Sequence, residues 1–429
     1  MSDKDFMGHR LMERRLEDEL PDEAELFEAL GGRELHLDEV LTRAGGIQRR
    51  RRTLTGLVAA AAVVALVVPA GVILADRESA SGPTPLTHPT TSTSTSPEPT
   101  ADPSVAHTIS LASLAGQPAG RPPAQGYVEN GVWHDPDGST FGVRAFAPYG
   151  VIDIAPVGGD LLVGTPAEET GEPRALLIDR GYRNIVRHSW PISGGFARST
   201  AGQVAFVEPD GTPVVVDADS HGWGLLDRIP RGSGFEAAAL FGGECKVDPQ
   251  SAGCTVVVNS RGVHPEAWLV SSHGTAEPAS SPVMSVDAAA ADGRLAAMTS
   301  VDETLPGSCS EVQDARQQKL WDTCDNRFIA FSPDGSMLLA GGAYTDGLGD
   351  TQLDVVDATS GDPVVRYRVA DGGAITAMRW EDDSHVLAVV LDQGVWGVVR
   401  AGLDGQVEVA VPPVQAKGEP TTSPFVMPH

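Results

Sequence analysis

Four cysteines are the residues whose chemistry is most restricted by their spacing. Cys245 and Cys254 are 9 positions apart, and Cys309 and Cys324 are 15 positions apart. Four cysteines allow three pairings, and pairing each with its neighbour closes two short loops between strands. Each closed loop stabilises the fold by up to roughly 3 kcal/mol in the chain-entropy description. A zinc site needs closer Cys-x2-4-Cys spacing. We therefore expect two disulfides, with free thiols or a metal site as the alternatives.

One group of carboxylates partly matches a calcium loop. Asp217, Asp219 and His221-Gly222 have the spacing that opens an EF-hand. The twelfth position of that loop is Arg228, where a calcium loop needs a bidentate glutamate. The match therefore fails.

A second group consists of Asp346, Asp350 and Asp354, in a predicted loop and strand edge. We expect these side chains to be solvated loop acids, and a cation site is the alternative. We predict no resident metal and no cofactor.

Enzymatic motifs are absent from the sequence. There is no Gly-x-Ser-x-Gly elbow and no Gly-x4-Gly-Lys-Ser/Thr phosphate loop. The 11 histidines are scattered, and none stands out as a base. The 58 acidic residues far outnumber the 31 basic ones, which argues against nucleic-acid binding, because that requires lysine and arginine to neutralise phosphates. We expect a protein that is not an enzyme and has no catalytic residues.

An apolar segment precedes all of these residues. Leu54–Ala75 contains 22 residues without a charge, and at about 1.5 Å per residue such a helix spans a ~30 Å hydrocarbon core. Four arginines come directly before it: Arg49, Arg50, Arg51 and Arg52. The positive-inside rule then places the N-terminus in the cytoplasm and the long C-terminal part outside. The alternative is a signal peptide cleaved after Ala75, but its basic region would be very long. We favour an uncleaved signal anchor.

The predicted transmembrane helix, residues 53–75, divides the chain into unlike parts. Residues 1–52 have the pattern of short helices, either a loosely ordered juxtamembrane segment or a docking element for a cytoplasmic partner. Residues 76–105 are mostly serine, threonine and proline, which predicts a disordered, extended linker. Residues 106–412 contain apolar β-type runs separated by turn residues, which predicts an all-β domain. We assign residues 413–429 to a C-terminal tail.

The all-β part repeats every 40 to 51 residues. Strand-like runs of one kind begin near Leu161, Gln203, Cys254, Arg294, Met337 and His385. A hairpin of two apolar strands is a second marker, clearest in Val214–Leu226 and in Asp354–Val369. An irregular stretch near residue 315 interrupts the pattern, and counting it gives seven units. Four short strands per unit at this period predict a seven-bladed β-propeller, although six or eight blades also fit.

Two turns carry a family resemblance. Phe331-Ser332-Pro333-Asp334-Gly335 resembles the turn into the second strand of WD40, TolB-like and YVTN propeller blades, and Asp357-Ala358-Thr359-Ser360-Gly361 resembles their third-to-fourth strand turn. The resemblance covers residues 106–412 and suggests an actinobacterial type of propeller protein with one N-terminal transmembrane helix. Trp321-Asp322 is the only WD dipeptide, so the chain departs from the strict WD40 pattern.

The resemblance and the apolar segment together imply a function. We expect a membrane-anchored, extracytoplasmic propeller that binds an unknown protein, peptide or small ligand at one face of the ring. It would be a single-pass protein of the cell membrane with its C-terminal domain outside. A transmembrane regulator of the anti-sigma-factor type, with the propeller as sensor and residues 1–52 bound to a cytoplasmic partner, is the alternative. A propeller lyase or hydrolase is the third.

Overall fold

A computed structural model describes residues 106–114, 119–166, 172–181, 185–217, 222–243, 245, 253–262, 265–280, 282–302, 307–345, 348–416 and 422–428. The predicted cytoplasmic segment, transmembrane helix and linker lie outside these residues, as do Arg49, Arg50, Arg51 and Arg52. In the part of the chain that is described, no helix has both the length and the apolar character needed to cross a bilayer.

The described chain forms seven β-sheets, which are the blades of a seven-bladed propeller. The prediction of a seven-bladed all-β propeller is therefore confirmed. Blade 1 contains β2 (Tyr127–Glu129), β3 (Val132–His134), β4 (Thr140–Gly142) and β29 (Phe425–Val426). Blade 2 contains β5 (Asp153–Val157), β6 (Asp160–Thr165), β7 (Arg174–Asp179) and β8 (Val186–Pro191). Blade 3 contains β9 (Ala197–Arg198), β10 (Val204–Val207), β11 (Pro213–Val216) and β12 (Trp223–Leu225).

The other four blades follow in chain order. Blade 4 contains β13 (Phe235–Gly242), β14 (Cys254–Ser260), β15 (Glu266–Ser271) and β16 (Ala276–Pro278). Blade 5 contains β17 (Ser285–Ala289), β18 (Leu295–Asp302), β19 (Gly307–Gln313) and β20 (Lys319–Thr323). Blade 6 contains β21 (Asn326–Phe331), β22 (Met337–Gly342), β23 (Gln352–Asp357) and β24 (Pro363–Val369). Blade 7 contains β25 (Ala374–Asp382), β26 (His385–Asp392), β27 (Val395–Gly402) and β28 (Val407–Gln415).

The predicted repeat corresponds to real blades. The six strand-like runs predicted from the repeat each begin within one residue of the first residue of the second strand in blades 2 to 7. The two best hairpins are the third and fourth strands of blades 3 and 6, which are three blades apart. The unit near residue 315 is also complete, because Asp314–Gln318 form a tight turn between β19 and β20.

Blade 1 is completed by a strand from far along the chain. Val128 of β2 pairs with Val426 of β29, and Glu129 pairs with Phe425. Residues 413–429 are therefore not simply a tail, because β28 extends to Gln415 and β29 is part of a sheet. A two-residue strand carries too little periodicity to be recognised in sequence.

Residues 106–114 form an arm on the outside of blades 6 and 7. Strand β1 (Ala106–Ile109) pairs in parallel with β24 and gives blade 6 a fifth strand. The one-turn helix α1 (Leu111–Leu114) follows, and its Leu111 amide donates to a carboxylate oxygen of Asp392 at 2.8 Å. A short 3-10 helix, Val143–Ala145, connects blade 1 to blade 2.

The hydrophobic core consists of seven clusters, and each lies between two neighbouring blades. Successive strand residues point to opposite faces of a sheet. Val355 therefore packs towards blade 7 and Val356 towards blade 5. Val215 and Val216 divide in the same way between blades 4 and 2. Each blade is thus apolar on both faces and is buried only when both neighbours are present.

Both predicted disulfides are present. Cys245 is bonded to Cys254 at the start of β14, and Cys309 of β19 is bonded to Cys324 just after β20. Trp321, from the WD dipeptide, donates its indole N–H to the carbonyl of Ala358 at 3.1 Å. It therefore attaches the outer edge of blade 5 to the turn of blade 6.

Candidate functional site: the central channel

A cavity of about 920 Å³ occupies the centre of the ring. The first strands of blades 3 to 7 supply most of its wall. These strands carry many alanines, including Ala237, Ala238 and Ala239 of β13 and Ala288 and Ala289 of β17. Ala238 and Ala289 are the partly exposed ones among them, and such small side chains leave the middle of the ring open.

Charged side chains interrupt these apolar strands. The first strand of each of blades 2 to 7 carries a charged residue at or near the channel: Asp153, Arg198, Glu236, Asp287, Arg327 and Arg379. Five of the six line the cavity, while Asp153 is buried behind Gly195. A pattern of one ionisable group per blade is unusual for strands that face a protein interior.

Asp287 is a carboxylate without a full set of partners. In β17 the residues Ser285, Asp287 and Ala289 are partly exposed and face the channel, whereas Val286 and Ala288 are buried between blades. The Oδ2 atom of Asp287 is shielded from solvent and has no hydrogen-bond partner among the described residues. Burial raises the pKa of Asp287 to about 7, against the opposing effects of Arg327 and the Ser285 hydroxyl.

Arg198 is the complementary cation. It is at the end of β9 and lines the cavity. Its side chain makes no hydrogen bond or ion pair with any residue of the described ranges, and its Nε is buried. Burial alone lowers the pKa of Arg198, and no carboxylate opposes this shift. Arg198 is therefore a guanidinium without a counter-ion in a chain whose net charge is −27.

Asp153 joins blades 2 and 3 beside the channel. Its carboxylate accepts hydrogen bonds from the amide of Ile154 at 2.7 Å and from the amide of Phe196 at 2.6 Å. Burial nevertheless raises the pKa of Asp153 to about 7, with Arg379 acting in the opposite direction. Asp153 thus carries a second carboxyl group that titrates near neutrality.

Two of the remaining channel charges are neutralised within the protein. Arg327 donates to Asp350 at 2.7 Å. Glu236 forms an ion pair with the exposed Arg261. Arg327 and Arg379 each have a buried Nε without a hydrogen-bond partner, but both donate through another guanidinium nitrogen. Among the lining residues, Arg198 is thus the guanidinium that makes no bond to any described residue, and Asp287 is the carboxylate with an unpartnered oxygen.

The predicted carboxylate group in blade 6 has a different environment from the one expected. Asp354 is buried and forms an ion pair with Arg366 at 2.7 Å, and Asp350 is paired with Arg327. They are therefore not solvated loop acids, because arginines from neighbouring strands neutralise them. Asp346 lies outside the described residues, as do Asp219 and His221 of the incomplete calcium loop. No set of three potential metal ligands is grouped together in the described ranges.

No sequence pattern indicated Arg198 and Asp287 as site residues. Arg198 and Asp287 have no motif around them, and their blades repeat too weakly for the positions to be aligned. The available signal was a single charge in the apolar run that precedes the second strand of each blade. That signal becomes specific only when the blade boundaries are known.

No known protein family matches this sequence, and no curated protein is similar to it. Several solved propellers are similar in fold. One is the β-propeller domain of Cps50 (Swd1) from Myceliophteria thermophila, with a TM-score of 0.41 and 10% identity over 63% of this chain and 88% of that one. The Dos1 propeller has a TM-score of 0.38 and 14% identity, over 60% and 66% of the two chains. The computationally designed protein Ika8 has a TM-score of 0.38 and 18% identity, over 61% and 83%. At these identities the similarity concerns the fold alone.

Proposed function

We propose that this protein is a binding module whose ligand occupies the central channel. A cavity of about 920 Å³ is within the ~300–1,000 Å³ range that is common for ligand sites. Its wall combines apolar side chains with charged and polar ones, and polar groups at fixed positions in a cavity orient a ligand.

The observation that carries this proposal is that Arg198 and Asp287 have hydrogen-bonding groups without a partner. A buried charge without a partner is costly, and proteins normally pair such groups. The chain neutralises Arg327 and Glu236 in this way but leaves Arg198 without a partner and the Oδ2 of Asp287 without a hydrogen bond. A ligand that supplies the missing partners gains favourable interactions that water supplies less well at a partly desolvated site.

Thermal stabilisation of the full-length chain tests the proposal. Alanine, tetra-alanine, glucose, ATP and citrate represent five ligand classes, and a ligand that binds only the folded state raises the unfolding temperature. We expect at least one class to do so. Ala238→Trp places an indole in the channel and should abolish the rise, whereas Ala315→Trp, in an exposed turn of blade 5, should retain it. If no class stabilises the protein, or if Ala238→Trp responds as the wild type does, the channel is not the binding site.

We further propose that the propeller is extracytoplasmic and membrane-anchored. The support comes from Leu54–Ala75 and the preceding arginines. The two disulfides add to it, because such bonds persist in oxidising compartments. A ligand bound in the channel would then be taken from outside the cell.

A further inference from the structure

From the charges of the channel we infer that its ligand is a short peptide with free termini, whose carboxylate binds Arg198 and whose ammonium group binds Asp287. This inference rests on the proposed function. It adds the chemical class of the ligand and the direction in which the ligand lies.

The charges of Arg198 and Asp287 disfavour a ligand that is only anionic or only cationic. The channel offers one guanidinium, Arg198, that makes no bond to the described protein, and one carboxylate, Asp287, with an unpartnered oxygen, and both are partly desolvated. Arg327 and Arg379 each have an unbonded Nε, but both donate to other residues. An anion alone would satisfy Arg198 and leave Asp287 Oδ2 without a partner, and a cation alone would do the reverse. A ligand with one charge of each sign satisfies both groups by charge-assisted hydrogen bonds, which are the stronger kind.

The separation of the two strands favours a ligand longer than a single amino acid. Arg198 is in blade 3 and Asp287 is in blade 5, so the first strand of blade 4 stands between them. Packed sheets lie roughly 10 Å apart, so two such steps span on the order of 10–20 Å. A peptide extends by about 3.3–3.6 Å per residue, so three to five residues reach from one group to the other.

The wall between the two charges suits a peptide chain. Ala237, Ala238 and Ala239 of β13 line this part of the cavity. Asn259, which also lines it, is already bonded to the backbone of Val286 through both its amide oxygen and its nitrogen. The side chains of this part of the wall are therefore small and uncharged or already paired. Such a wall fits the uncharged middle of a peptide made of small residues.

Calorimetric titration of the full-length chain with tetra-alanine tests the inference. The matched probes are N-acetyl tetra-alanine, tetra-alanine amide, the doubly blocked peptide, and alanine itself. In the wild type, blocking either end should weaken binding at least tenfold, and alanine should bind at least tenfold more weakly than tetra-alanine.

Variants assign each terminus to its residue. In Arg198→Gln the free and amidated peptides should bind equally, while acetylation still weakens binding. In Asp287→Asn the pattern should be reversed. Arg198→Lys keeps the positive charge and should keep the preference for a free carboxylate. The controls are Arg228→Gln, on the outer side of blade 3, and Asp322→Asn, on the outer strand of blade 5. Both controls should behave as the wild type does.

Failure of this inference can be distinguished from failure of the proposed function. If the doubly blocked peptide binds as tightly as the free one, or if tetra-alanine does not bind at all, the peptide inference is wrong. The channel remains a ligand site in that case if another class of compound stabilises the wild type but not Ala238→Trp. If no compound does so, the proposed function is wrong as well.

Discussion

At the scale of single residues, the carboxyl groups beside the channel couple folding to pH. The pKa values of Asp153 and Asp287 are raised to about 7 because the folded protein desolvates both groups. In the unfolded chain an aspartate titrates near 3.8. Between these values the folded state binds more protons than the unfolded state, so the free energy of unfolding falls as pH rises. The stabilising contribution is complete below about pH 3.8 and is lost as pH passes through about 7.

Asp287→Asn should remove the part of this pH dependence that belongs to Asp287. The amide has nearly the shape of the protonated acid and never acquires a charge. We expect the variant to be more stable than the wild type by about 1–3 kcal/mol at pH 8, and similar to it at pH 4. Urea unfolding at several pH values measures this difference. A constant difference across the range would show that Asp287 is not desolvated.

Asp357→Asn is the control, because its effect on the free energy of unfolding should depend on pH in the opposite direction. The amides of Ser360 and Thr359 both donate to its carboxylate at 2.8 Å, and the hydrogen bond from Ser360 is the main reason that the pKa of Asp357 is lowered. Its contribution is present above about pH 3.8 and is lost on acidification. The variant should therefore lose stability at neutral pH and little at low pH.

At the scale of elements, equivalent positions of different blades should contribute alike. Val216 ends β11 and Val356 lies near the end of β23. Both are buried and pack towards the preceding blade. Each is the third residue of one of the two hairpins that mark the repeat, and three repeat intervals separate them, so the sequence predicts that the two positions are equivalent.

Val216→Ala and Val356→Ala should each lower the free energy of unfolding by about 1–3 kcal/mol, because each leaves a cavity between two sheets. The two losses should agree within about 1 kcal/mol, since the sites have similar surroundings. Each variant should still unfold in one transition, because a blade has no buried face without its neighbours. Denaturant titration followed by tryptophan fluorescence measures both points, and two separate transitions would contradict the second.

The disulfides stabilise individual hairpins of blades 4 and 5. Replacing both cysteines of one pair by alanine should lower the free energy of unfolding by about 2–3 kcal/mol in the chain-entropy description. The effect should be somewhat larger for Cys309–Cys324, whose separation of 15 residues exceeds the 9 of Cys245–Cys254. Unfolding of each double variant with and without reductant gives the two values. A variant that lacks both pairs should show no response to reductant.

At the scale of the whole molecule, closure of the ring depends on contacts between distant parts of the chain. Strand β29 pairs with β2 across about 300 residues, and Phe425 completes the cluster between blades 7 and 1. The arm of β1 and α1 adds a second connection, on the outside of blades 6 and 7. Such long-range pairing is slow to form, because the chain must be largely ordered before the contacts are made.

Topology is the prediction that belongs to the whole chain. Protease added to intact cells should digest the propeller or release it at the 76–105 linker, and residues 1–52 should remain protected. Antibodies against each part detect the two fragments, and permeabilised cells, in which both parts are cleaved, are the control. Digestion of residues 1–52 in intact cells would contradict the cytoplasmic assignment.

Local patterns in the sequence were sufficient to predict the blades. Alternation of apolar residues, turn residues at regular intervals and the hairpin of two apolar strands are all properties of segments shorter than twenty residues. The seven-bladed ring followed from their period, because a sheet that is apolar on both faces needs a neighbour on each side. The disulfide pairing was also a local prediction, because each cysteine is paired with its nearest cysteine along the chain.

The channel and the closure of the ring were decided only by the tertiary structure. Arg198 and Asp287 are 89 positions apart, and nothing near either one predicts that both line one cavity with unmet hydrogen-bonding capacity. Asp350 and Asp354 were likewise predicted to be solvated, whereas Arg327 and Arg366 from strands of the same blade neutralise them. The residue type determines the charge of a side chain, but whether that charge is neutralised depends on which strands lie next to it in the folded protein. In this protein the closing of the ring brings those strands together, and so the site could not be predicted from sequence.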